Sequence, residues 1–262
     1  MIKSTYKIFI AFIFCILIPG FAFGYPIVFN TQFIRVGSAV AYTCPGGVYT
    51  SYWDGDYDSD NDQICYDSGG SNKTGTNTGG AFSTSYGKDG SIGWRYSNDD
   101  TLLWDDSSAE DLVSKTSGTI WVQFRVGTTC PTSDLTIVYV PSDSAGNYIK
   151  LHIESDTPGE MRAYYRKDYT DYRVDSTSLI TCDSIVWNTV GMSWRINSGD
   201  DISVTIGSSW DTGTTRQDRD HSAFTGDIDS MEIGTGTGQV KNVDFNRIVS
   251  LPGWEAACPW GD

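Results

Sequence analysis

Gly118-Thr119-Ile120-Trp121-Val122-Gln123-Phe124-Arg125-Val126 alternates with a period of two: Ile120, Val122, Phe124 and Val126 fall on one side, Thr119, Trp121, Gln123 and Arg125 on the other. Successive side chains of a strand leave on opposite faces, so this stretch predicts a β-strand with one face in a core. The pattern recurs downstream. Residues 135–140 form a nearly continuous apolar strand; residues 148–154 send Ile149, Leu151 and Ile153 inward, and residues 161–166 send Met161, Ala163 and Tyr165 inward. Val190, Met192, Trp194 and Ile196 make the inner face of another, residues 202–206 alternate again, and residues 230–233 and 240–249 read as two more. The links carry turn chemistry, as in Asp143-Ser144-Ala145-Gly146-Asn147 and Thr157-Pro158-Gly159. Many short strands with no amphipathic helix predict an all-β, two-sheet antiparallel sandwich.

Residues 1–24 read as a secretory signal. Lys3 and Lys7 open it, residues 8–18 are apolar, and Ala22-Phe23-Gly24 is a small-x-small cleavage pattern before Tyr25. Pro19-Gly20 interrupt the run before the roughly 20 residues that a spanning helix needs. The expectation is an exported protein, extracellular or periplasmic, without a membrane span. Residues 25–80 read as a short N-terminal extension with an Asp-rich loop, closed by a Gly/Ser/Thr-rich linker over residues 69–80, and residues 81–262 as the sandwich. The net charge of −15 repels nucleic acid and anionic lipid. Of the six cysteines, Cys15 lies in the signal, while Cys44, Cys65, Cys130, Cys182 and Cys258 remain in an exported chain where pairing is expected. Cys130 with Cys182 is the preferred pair, because both flank strands of the predicted sandwich. The odd cysteine keeps its thiol or pairs with another chain. No Cys-x-x-Cys or Cys/His cluster supports zinc or redox chemistry.

Three segments in chain order resemble laminin-G-like domains of the concanavalin-A-like lectin/glucanase superfamily. Gly118-Thr119-Ile120-Trp121-Val122-Gln123-Phe124 is similar to the opening strand, and Trp187-Asn188-Thr189-Val190-Gly191-Met192-Ser193-Trp194 to a middle one. Met231-Glu232-Ile233-Gly234 with Val243-Asp244-Phe245-Asn246-Arg247-Ile248 is similar to the closing strands. The resemblance implies a two-sheet jelly roll that binds glycans or extracellular protein ligands, often with calcium at the rim.

Two acidic clusters invite chemistry. Counted from Asp56, the carboxylates Asp56, Asp58, Asp60, Asp62 and Asp67 fall at loop positions one, three, five, seven and twelve, the spacing by which an EF-hand-like loop folds oxygens around Ca²⁺. The same acids read equally as a solvated loop. Gly226-Asp227-Ile228-Asp229-Ser230-Met231-Glu232 resembles the catalytic strand of laminarinase-type glycoside hydrolases. That resemblance implies Asp227 as nucleophile, Asp229 as helper and Glu232 as acid/base. A closing strand of the sandwich explains these residues as well.

Nine tryptophans and fifteen tyrosines offer flat faces for sugar rings. Those in turns are the better candidates: Trp53 beside the acidic loop and Trp210 in Ser208-Ser209-Trp210-Asp211. Tyr164 joins them because it shares a face with Arg162 and Arg166. His221 reads as a solvated loop residue. The leading expectation is a non-enzymatic recognition or adhesion protein that binds glycan or matrix, possessing calcium in its acidic segment. A self-associating surface or filament subunit, with the apolar residues 25–33 laid on a neighbouring sheet edge, is a second reading. A laminarinase-type hydrolase is the third.

Overall fold

A computed structural model of the chain describes residues 49–56, 60–66, 71–97, 99–105, 112–196, 199, 201–211, 213–218, 221–234 and 242–260. All fall in the compact unit Tyr42–Asp262. Residues 1–24, expected to be a signal, Cys44, Asp58, Asp67 and the apolar residues 25–33 lie outside the described residues.

Among the described residues every regular element is a strand, and every pairing is antiparallel. The strands are β1 (Ser51–Asp54), β2 (Gln63–Tyr66), β3 (Ser71–Thr74), β4 (Thr76–Thr78), β5 (Ala81–Ser83), β6 (Gly93–Tyr96), β7 (Thr101–Asp105), β8 (Ser117–Val126) and β9 (Leu135–Pro141). They continue as β10 (Tyr148–Ile153), β11 (Glu160–Lys167), β12 (Thr170–Leu179), β13 (Asn188–Arg195), β14 (Ile202–Ile206), β15 (Thr215–Gln217), β16 (Ser230–Ile233) and β17 (Val243–Pro252). One sheet runs β15-β14-β13-β8-β17-β1-β2-β3, with β6 also on β17 and β5 on β6; the other runs β12-β11-β10-β9-β16-β7-β4. The two stack as a sandwich, as the alternation predicts.

The inner face of β8 behaves as its sequence dictates: Ile120, Val122, Phe124 and Val126 join Val190, Met192 and Trp194 of β13 in one core cluster. Two glycines let the indoles lie flat across the neighbouring strand. A Cβ on Gly191 would meet the Trp121 ring at 2.6 Å, and one on Gly118 would meet the Trp194 ring at 2.5 Å. Each glycine stands directly opposite the tryptophan it accommodates.

The outer face of β8 is buried as well, which alternation alone does not foresee. Residues 253–260 cross it as a strap. Trp121 and Trp210 both donate their indole N–H to the Ala256 carbonyl, at 2.9 and 2.8 Å, and the Ala256 and Glu255 amides donate to Thr119 Oγ1 and Ser193 Oγ. A second apolar cluster of Tyr49, Cys65, Trp121, Val249, Leu251 and Trp260 forms beneath it.

The sandwich begins earlier in the chain than residue 81. β1 pairs with β17, and β4 with β7, so residues 51–78 supply strands to both sheets. The linker expected over residues 69–80 contains β3 and β4. Edge strands need paired backbone groups more than apolar side chains, and Ser, Thr and Asn with their backs to water meet that need without leaving a hydrophobic pattern. Cys130 pairs with Cys182 as expected, with Cα atoms 5.1 Å apart. Cys65 is also disulfide-bonded, and the Cys258 thiol stays outside any disulfide, directed at the Trp260 carbonyl.

Candidate functional site

Outward-facing residues of the seven-stranded sheet line up in rows across the strands, and the register defines them. One row reads Leu103, Glu232, Tyr139, Lys150, Tyr164, Arg173 across β7, β16, β9, β10, β11 and β12. A second reads Pro141, Tyr148, Arg166, Asp171, and a third Thr136, His152, Arg162, Asp175. At ~4.8 Å between strands, Glu232 to Arg173 spans about 19 Å. That is the reach of a short oligosaccharide.

Three tyrosines form a contiguous aromatic cluster on these rows, Tyr139 and Tyr148 half-buried and Tyr164 7% exposed. The Tyr139 and Tyr148 rings lie 5.4 Å apart, Tyr148 and Tyr164 lie 6.5 Å apart, and the His152 ring sits 5.1 Å from Tyr164. Tyr169, in the β11–β12 turn, is 68% exposed and lies against the Arg166 guanidinium at 5.8 Å. The cations are interleaved. Lys150 Nζ stands 4.7 Å from the Tyr164 ring centre and 5.6 Å from that of Tyr148. Arg166 lies over the Tyr148 ring and donates to the Tyr148 hydroxyl at 3.1 Å.

The charges on this face are sorted unequally. Arg162 is shared between Glu154 and Asp175, and Arg166 is paired with Asp171 at 3.3 Å. Burial, ahead of the nearby carboxylates, holds the Lys150 ammonium below its ordinary pKa. Burial and then the Lys150 charge push the His152 imidazole down to about 3, so the ring is neutral near pH 7. His152 Nε2 meets Glu154 Oε2 at 3.1 Å, but that carboxylate is already held by Arg162 and does not draw a proton onto the ring. Burial raises Tyr148 and Tyr139, the latter also through Glu232. These hydroxyls therefore act as hydrogen-bonding groups, not as anions.

The predicted site residues fare differently. Tyr164 shares a face with Arg162 and Arg166, as expected, and is 7% exposed there. Trp53 is corrected: it is fully buried, its indole packed 5.9 Å from Trp104 and donating to the Asn61 carbonyl at 3.1 Å, so it offers no open platform. A turn-flanking aromatic was drawn into the core because β1 lies inside the sheet. Trp210 is half-buried against Trp121 at 4.8 Å and pinned by the strap, on the other side of the sandwich. His221 is corrected too: it is buried, stacked on Tyr172 at 4.7 Å and against Tyr165 at 4.3 Å.

The three acids of the hydrolase reading differ in their surroundings. β16 begins at Ser230, so only Glu232 of the three acids lies on the strand; Asp229 precedes it, exposed, and exposed Asp227 pairs with Lys115 at 3.2 Å. Of the acidic-loop residues, Asp56, Asp60 and Asp62 are described. Asn61 adopts φ 66°, the left-handed turn that a calcium loop asks of its sixth position. Yet the seventh-position carbonyl, that of Asp62, already accepts from Trp104 Nε1 at 2.7 Å and from the Gly75 amide at 2.9 Å, and Asp56 accepts the Ile92 amide. Burial raises neighbouring Asp54 to about 6, against the hydrogen bond that it accepts from the Asp56 amide. Among the described residues the metal-ligating atoms that converge within 4.8 Å belong to Asp134, His152 and Glu154, and there Arg162 already occupies Glu154.

Tyr139, Tyr148, Lys150 and Tyr169 escaped the sequence reading. The available signal was the bulk of the outward positions: a solvent-facing strand has no need of Tyr148, Lys150 and His152 in alternation.

No protein-family model matches the chain, and no curated protein is similar to it. Solved structures are similar in fold. The receptor-binding domain of botulinum neurotoxin mosaic serotype C/D superposes with TM-score 0.56 at 10% identity, over 80% of this chain and 48% of that one. The chain thus spans about half the length of that domain. Domain 4 of AbnA, a GH43 extracellular arabinanase from Geobacillus stearothermophilus solved with arabinotriose, matches at TM-score 0.55 and 16% identity over 81% of this chain and 96% of that one. The endo-β-1,4-glucuronan lyase of the fungus Trichoderma reesei matches at TM-score 0.50 and 12% identity, over 79% and 96%.

Proposed function

We propose that the chain is an exported glycan-recognition protein that binds a carbohydrate chain across the outer face of its seven-stranded sheet. The observation that carries this reading is the Tyr139–Tyr148–Tyr164 cluster, three rings on adjacent strands, with Lys150 against Tyr148 and Tyr164 and Arg166 against Tyr148. Sugar rings present C–H faces to aromatic planes and hydroxyls to fixed donors, and this face supplies both. Fold neighbours whose names tie them to carbohydrate, among them a domain holding arabinotriose, support it, and so does a disulfide, which an oxidising compartment favours.

A printed array of neutral and acidic glycans tests the reading. The wild-type chain is expected to retain at least one glycan class, and Tyr148→Ala and Tyr164→Ala are each expected to weaken that binding about tenfold, in line with ~1–1.5 kcal/mol for a lost aromatic contact. A folded wild-type chain that retains nothing, or a double variant that binds as well as wild type, sinks it.

Calcium in the acidic loop is a separate proposal, supported by the spacing of the carboxylates and the left-handed Asn61. Thermal melts in 1 mM Ca²⁺ against chelator are expected to differ by several degrees, on the order of the stabilisation that a ligand at many times its Kd supplies. Superimposable melts end the proposal.

A further inference from the structure

We infer that the glycan bound on the tyrosine face carries carboxylate groups, with Lys150 as the residue that reads them; the ligand class is a uronic-acid-containing polysaccharide. The inference rests on the reading of this face as a glycan site and adds the chemistry of its ligand.

Every other strongly placed cation on the inner part of this face is already neutralised by protein. Arg162 is held by Glu154 and Asp175, and Arg166 by Asp171 and the Tyr148 hydroxyl. Lys150 is different. Among the described residues its ammonium has no carboxylate within ion-pair distance, only the faces of Tyr148 and Tyr164. Asp134, Asp171 and Glu154 act on it from farther off, and the last two are committed to arginines. An ammonium drawn out of water without a contacting counter-ion is disfavoured. Two tyrosine faces offset that only in part. A ligand carboxylate set between Tyr139 and Tyr164, the two residues directly opposite Lys150, completes the pair.

The row also says where the carboxylate goes. Glu232 occupies the next position beyond Tyr139 and repels an anion at that end. Arg173 continues the row beyond Tyr164. A uronate chain laid along the row therefore places an anionic group over Lys150 and turns a neutral or hydroxyl edge to Glu232. With a net charge of −15 the whole chain repels polyanions at long range, but screening over about 8 Å at physiological salt leaves this short contact to decide.

The test compares polyglucuronate with the same polymer after chemical reduction of its carboxyl groups, by affinity electrophoresis and calorimetry at 0.15 M salt. The wild-type chain is expected to bind the acidic form at least tenfold more tightly. Lys150→Gln should bring the two forms to nearly equal affinity, whatever it does to the affinity for the reduced polymer, and Lys150→Arg should keep part of the preference. Lys150→Met, which preserves the apolar stem between the rings, replaces Lys150→Gln if that variant does not fold. Equal binding of both polymers by wild type, or binding of neutral glycans alone, overturns the inference and leaves the glycan reading standing. A preference that survives in both Lys150→Gln and Lys150→Met overturns the assignment to Lys150. No binding to either polymer or to any arrayed glycan overturns both.

Discussion

Trp53→Ala is expected to cost about 3–5 kcal/mol of folding stability, as large-to-small core substitutions of tryptophan do, and to leave glycan affinity untouched in whatever fraction remains folded. The indole is wholly buried at the junction of β1 with the acidic loop, packed on Trp104 and bonded to the Asn61 carbonyl. Its removal opens a cavity and frees one of the two indole tethers that hold residues 61 and 62. At roughly 2–4 °C per kcal/mol for a domain of this size, the melting temperature should fall by on the order of 10 °C or more. A variant that melts like wild type but binds glycan weakly would restore Trp53 as a ligand contact and overturn the placement of β1.

Asp244→Ala is expected to be nearly as damaging, about 3 kcal/mol. Asp244 stands on β17 directly opposite Arg95 of β6 on one side and Arg125 of β8 on the other. Its carboxylate, 4% exposed, takes Arg95 Nε at 2.5 Å and Nη2 at 2.8 Å, and Arg125 Nε at 2.9 Å. Removing it leaves two guanidiniums facing each other across a strand, and breaking a buried ion pair from one side typically costs 3–5 kcal/mol. The lower end applies because the arginines are 31% and 17% exposed, so water screens part of their repulsion. Denaturant titration of Asp244→Ala against the double variant Arg95→Ala/Asp244→Ala separates the effects: the double should recover part of the loss. A single-variant loss under 1 kcal/mol would mean that the cluster is solvated.

How far the sequence disclosed this molecule depends on which physical signal each element carries. β8, β10, β11, β13, β14 and β16 send alternate apolar residues into the core and lie where alternation puts them, although the other face of β8, β13 and β14 is buried too. β12 does not: its inward residues are Tyr172, Val174 and Ser176 amid Asp, Arg, Thr and Ser, and pairing with β11 rather than apolar drive makes it a strand. β3, β4 and β5 escaped for the same reason. Burial of Trp53 and His221 was hidden because both precede or follow turns, and turn proximity argues for exposure only when the flanking strand is at an edge. Tyr164 with Arg162 and Arg166 was legible, being local to one strand. The rest of the face was not, since Tyr139, Lys150 and Tyr164 meet only through the register of three strands, a non-local property that no window of sequence contains.

The placement of β17 between β8 and β1 governs how the molecule is made. Ser51 waits for Ser250, about 200 residues later, before its strand has a neighbour on that side, and contacts of such separation form slowly. A chain emerging N-terminus first thus holds several half-paired, adhesive edges until its last tenth arrives. Assembly completes only once β17 is available, and the exposed interval is where a holdase, or a thiol oxidant acting on Cys130 and Cys182, would exert most leverage over yield.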